Sequence, residues 1–97
     1  MPFAFALLLS KWGFFMQENR LAVISIIVEN REVSPQINTL LSEFGEYVLG
    51  RMGIPYKEKG VSVISIALDA PTEVINKLTG KIGMIGGVTA KTLMHKA

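Results

Sequence analysis

The sequence has no cysteine and a single histidine, His95. Without thiols there is no disulfide framework, no thiolate nucleophile, no iron–sulfur ligation and no zinc ribbon, and a lone imidazole leaves no pair for a metal site. No metal or other cofactor is expected. Charge of one sign is also scarce. Ten Lys and Arg stand against eight Asp and Glu, a net charge of +2, whereas an electrostatic nucleic-acid binder clusters positive charge. The apolar stretch at residues 1–9 is less than half of the roughly 20 residues a membrane-spanning helix takes, so no span is expected. Neither a basic leader region nor a small-residue cleavage site flanks it, and a cytoplasmic location follows as the expectation.

Apolar residues, by contrast, are plentiful. Of 97 residues, 49% are hydrophobic and 19% charged, and the mean hydropathy of +0.39 excludes a disordered chain. The length is that of one small domain. Such a domain buries only about two-thirds of the surface its unfolded chain exposes. This chain has more apolar surface than one small core needs, so self-association is the simplest expectation. Residues 1–16 differ from the rest: they hold Phe3, Phe5, Trp12, Phe14 and Phe15 with Lys11 as their one charge, and the polar run Gln17-Glu18-Asn19-Arg20 follows. Two readings stand for this segment, an extension ahead of a natural start at Met16 or an apolar arm that docks on a neighbouring subunit.

An internal repeat sets the architecture. Val23-Ile24-Ser25-Ile26 recurs as Val63-Ile64-Ser65-Ile66, and each copy precedes a proline-started helical pattern. Both copies are rich in β-branched residues, as strands are. Alternation puts Ile24, Ile26 and Val28 on one face with Ile64, Ile66 and Leu68 in equivalent places, where the helices should pack. The opposite faces, Val23, Ser25, Ile27 and Val63, Ser65, Ala67, are less apolar but hardly polar, as expected of strands central in their sheet and covered on both sides. After the first strand, Ser34 reads as an N-cap with Pro35 at the first helical position, Ile37, Leu40, Leu41 and Phe44 form one stripe, and Gly45 offers a left-handed cap. A second strand is expected over 47–52, a hairpin loop over 53–60, and a returning strand over 61–68. Pro71 opens a second helix with the stripe Val74, Ile75, Leu78 and Ile82, and Gly80 predicts a short or frayed end. Gly86-Gly87 permits positive φ before a closing strand over 88–94. The order β-α-β-β-α-β is the ferredoxin-like plan of the α+β class, a four-stranded antiparallel sheet with both helices on one face.

Function on such a fold has to be argued from sites. An RNA-recognition domain stacks bases on aromatics of its central strands, and neither 21–28 nor 61–68 contains Phe, Tyr or Trp. Glu29 and Glu32 sit in a turn without the convergence a general acid–base pair requires. No catalytic constellation is found, and His95, near the end, reads as a solvated tail residue. Neither Gly50-Arg51-Met52-Gly53 nor Gly83-Met84-Ile85-Gly86-Gly87 matches a phosphate-binding loop or a dinucleotide fingerprint. Gly50 is a candidate for a bulge in an edge strand. Arg51 is a guanidinium on a strand between glycines, in reach of a ligand anion or a partner carboxylate.

The run Gly50-Arg51-Met52-Gly53-Ile54-Pro55-Tyr56-Lys57-Glu58-Lys59-Gly60-Val61-Ser62-Val63-Ile64-Ser65, then Leu78-Thr79-Gly80-Lys81-Ile82-Gly83 and Gly87-Val88-Thr89-Ala90-Lys91-Thr92, resembles the iron-only hydrogenase system regulators. The likeness covers residues 20–94. It implies an ACT-like domain over 17–97, similar also to the C-terminal ligand-sensing domain of nickel-responsive repressors, assembling as a homo-oligomer in anaerobic bacteria. Amino-acid-binding ACT domains usually carry a glycine between the first strand and first helix; here that turn reads Glu29-Asn30-Arg31-Glu32-Val33-Ser34. Helix N-termini favour anions, and the expected ligand-binding residues are Asn30, Arg31, Ser34 and Arg51, for a small anionic ligand. The expected oligomer interface is Val23, Ser25, Ile27, Val63, Ser65 and Leu93. The reading is a non-enzymatic regulatory module. The alternatives are an interaction subunit without ligand, and a weak DNA-binding regulator using assembled basic patches at Lys57, Lys59, Lys77 and Lys81.

Overall fold

The computed structural model describes residues 19–96, and the segment 1–16, expected as an extension or a docking arm, lies outside them. Strand β1 (Asn19–Val28) runs through a 3-10 turn (Arg31–Val33) into helix α1 (Ser34–Glu43). A second 3-10 turn (Gly45–Tyr47) leads to β2 (Val48–Tyr56), and a third (Lys57–Lys59) to β3 (Val61–Pro71). Helix α2 (Thr72–Gly83) and β4 (Val88–Met94) complete the domain. The sheet order is β2-β3-β1-β4, antiparallel throughout, with the sequence twins side by side: Ser25 lies opposite Ser65 and Ile24 opposite Ile66. This is the βαββαβ, ferredoxin-like arrangement that the repeat predicts.

Period-2 alternation decides which residues form the core. Ala22, Ile24, Ile26 and Val28 of β1 and Ile64, Ile66, Leu68 and Ala70 of β3 point to the helices and are buried. They meet Ile37 and Leu41 of α1 and Ile75, Leu78 and Ile82 of α2, both stripes at helical spacing. On β4 the inward row is less apolar. Thr92 points to the helix layer, where its hydroxyl lies 2.5 Å from that of Thr79, which in turn donates to the Ile75 carbonyl. With the Thr79 proton committed to that carbonyl, Thr92 is the donor in the pair and both hydroxyls are satisfied.

Several local expectations change. Ser34 is the first helical residue rather than the cap, and Val33 at the cap position offers no side-chain bond; Asn30 caps the preceding 3-10 turn instead, its Oδ1 accepting from the Glu32 N–H at 3.0 Å. Gly45 does not adopt the left-handed conformation, because α1 tightens directly into the next 3-10 turn; among the described residues the positive-φ glycines are Gly60 and Gly87. Strand β2 continues to Tyr56, through Gly53 and Pro55, so the loop shrinks to the turn ending at Gly60. An edge strand tolerates a proline that would break a central ladder. Helix α2 runs past Gly80 to Gly83, because Ile82 in its last turn is fully buried and holds that end down.

Candidate functional site

The helices occupy one side of the sheet, and among the described residues nothing covers the other side. On it lie Leu21, Val23 and Ile27 of β1, Met52, Ile54 and Tyr56 of β2, Val63 of β3 and Leu93 of β4, all exposed. The pairing register assembles them into rows: Ile54, Val63 and Ile27 stand side by side across three strands, as do Ala67, Val23 and Leu93. The two serines, Ser25 and Ser65, sit between these rows next to Met52. Charges on this face lie toward its margins: Lys91 on the edge strand β4 and Asp69 opposite Leu21 near the end of β3. All six residues expected at an interface, Val23, Ser25, Ile27, Val63, Ser65 and Leu93, share this surface.

A second feature is a groove between α1 and β2. Helix α1 packs over the inner strands and leaves the helix-facing side of β2 uncovered. Two hollows of about 280 Å³ and 260 Å³ lie along it. Arg51 lines both, and its Nη2 donates to Asn38 Oδ1 on α1 at 3.1 Å. A bulge between Val48 and Gly50 shifts the register of β2 just before Arg51, which places Arg51 beside Ile66 on the helix-facing side.

The four expected ligand-binding residues divide. Ser34 and Arg51 line the same hollow, together with Asn38 and Ser62. Asn30 lies instead against Gly87, just before β4, where the Glu29 N–H also donates to the Gly87 carbonyl at 2.7 Å. Arg31 is exposed on the turn and lines neither hollow. Asn38, Gly53 and Ser62 were not singled out by sequence reasoning, since they come from three elements that only the fold joins. Among the described residues no three His, Asp or Glu side chains converge as a metal site would need, and no helix is long and apolar enough to cross a membrane.

Comparison with solved structures places this geometry. Uncharacterized protein TM1266 from Thermotoga maritima superposes with a TM-score of 0.78 at 35% identity, covering 81% of this chain and all of that one. The ACT domain of GTP pyrophosphokinase from Chlorobium tepidum superposes with a TM-score of 0.59 at 23% identity, covering 78% of this chain and 88% of that domain, and shows that the fold is ACT-like. No curated protein matches the chain. Residues 20–92 match the family model described as "TM1266-like: Iron-only hydrogenase system regulator, putative". With three-quarters of its length inside that model and a structure at 35% identity spanning the same sheet and helices, the chain belongs to the TM1266-like family of iron-only hydrogenase system regulators.

Proposed function

We propose that the protein is a non-enzymatic, cytoplasmic regulatory module that works as a homo-oligomer joined through the bare sheet face and that responds to a small anionic ligand. The observation that carries this reading is the face itself. Eight large apolar side chains lie exposed on four adjacent strands, while the buried core among the described residues lies on the helix side. Contiguous apolar patches beyond a few hundred Å² mark interaction surfaces, and each Å² removed from water is worth about 25 cal/mol. The pattern has the anatomy of an interface, apolar within and charged toward the edge. Ser25 and Ser65, being small, let a second sheet approach closely at the middle. The family description and the ACT-like fold favour regulation over catalysis. The ligand-binding share falls to Ser34 and Arg51, which line one hollow.

Native mass spectrometry of purified protein at micromolar concentration tests the assembly. A mass that is a multiple of the chain is expected, and a monomer would overturn it. Thermal unfolding in the presence of small anions tests the sensing, because anything that binds only the folded state raises its stability. A multimeric mass with no thermal shift would point instead to an interaction subunit without ligand.

A further inference from the structure

We propose that the groove between α1 and β2 binds a small monocarboxylate, with the Arg51 guanidinium as its anion anchor. This deepens the ligand-sensing part of the reading above and does not depend on the assembly. Among the described residues, Arg51 is the one charged residue lining either hollow, and no acidic side chain lines them. The bond to Asn38 engages a neutral acceptor, so the positive charge is oriented without being neutralised. A guanidinium presents five N–H donors in a planar fork that matches a carboxylate, and the bond to Asn38 takes up one of them.

The rest of the hollow fits a short organic acid. Ser34 and Ser62 supply hydroxyls that donate or accept, and Pro55 and Ile64 supply apolar contact. One guanidinium with no second cation suits a single negative charge, whereas a phosphate dianion calls for more donors and more positive charge. Hollows of about 260–280 Å³ fall just below the roughly 300–1,000 Å³ of drug-sized sites, which favours a metabolite of few heavy atoms over a nucleotide. Gly53 completes the argument. It lines the hollow, and a Cβ placed on it would meet nothing within 4 Å, so a larger side chain there can be added without displacing a neighbour.

The test is a backbone amide NMR titration of the full chain with acetate, propionate and pyruvate, and separately with inorganic phosphate, at constant ionic strength in chloride. Oligomer mass is measured on the same samples. Saturable shifts are expected at Asn38, Arg51, Gly53 and Ser62 with at least one carboxylate. R51Q should weaken binding by about tenfold or more, and G53V, which leaves the guanidinium in place and fills the hollow, should weaken it as well. Three results would each overturn the proposal: no saturable shift with any carboxylate, undiminished binding in R51Q, or phosphate binding more tightly than every carboxylate. Carboxylate binding by a chain that proves monomeric would support the groove while removing the assembly.

Discussion

Gly→Ala, the smallest change available at a glycine, should have opposite signs at three positions in this chain. Gly80 lies exposed inside α2 with open space around its missing Cβ. Alanine there removes backbone freedom from the unfolded chain at no steric cost, and G80A should stabilise by up to about 1 kcal/mol. Gly60 has φ +67° with nothing near it, so G60A bears only the left-handed penalty of about 1 kcal/mol. Gly87 has φ +78°, and a Cβ there would stand 3.0 Å from the Asn30 Cβ. G87A bears the same penalty plus the displacement of Asn30 and should destabilise by about 2 kcal/mol. Urea unfolding of the three variants gives the ranking, and equal effects at 60 and 87 would show that the approach of Asn30 to Gly87 carries no energy. The turn before β4 was legible as needing positive φ, from its paired glycines. Which residue would crowd it was not, because Asn30 and Gly87 are distant in sequence and meet only when β1 and β4 pair.

At the scale of elements, the helix stripes and the two central strands could be read directly, because burial imposes a period on residues such as Ile24, Ile26 and Val28 or Ile75, Leu78 and Ile82. Element ends were less legible. Gly53 and Pro55 are breakers by local chemistry, yet β2 continues through them because it is an edge strand with one neighbour. The same competition acts ahead of α1, whose own N-cap position is Val33 with no side-chain bond. Ser34-Pro35 has the local signature of a helix start, but the chain begins to turn earlier, where Asn30 is positioned by the close of β1 and its bond to the Glu32 N–H. N30A should therefore cost about 1 kcal/mol, while S34A should stay within about 0.5 kcal/mol. Equal losses in thermal or urea unfolding would show that the Asn30 bond holds the turn no better than the Ser34 hydroxyl does. Of the candidate site, Arg51 stood out as a strand guanidinium between glycines; its partner Asn38 did not, since nothing local joins a helix amide to an edge strand thirteen residues away.

At the scale of the whole molecule, among the described residues the apolar side chains left outside the core gather on the outward residues of β1, β2, β3 and β4. The two faces of this sheet are independent in the single chain, since the buried core lies wholly on the helix side. That independence separates assembly from folding. Val63 stands between Ile54 and Ile27 in the middle of the bare face and is 41% exposed. Glutamate there remains hydrated in a monomer, but a symmetric face-to-face pair would bury two like charges near one another. V63E should thus reduce the solution mass to a single chain while leaving the circular dichroism spectrum unchanged. Its unfolding midpoint should lose the dependence on protein concentration that the oligomer would show. Lys77→Glu, an exposed charge reversal on α2, serves as the control and should leave the mass as it was. If V63E kept the parental mass with its fold intact, the subunits would be joined elsewhere, and among the described residues the unpaired backbone of the edge strands β2 and β4 would be the next surface to test.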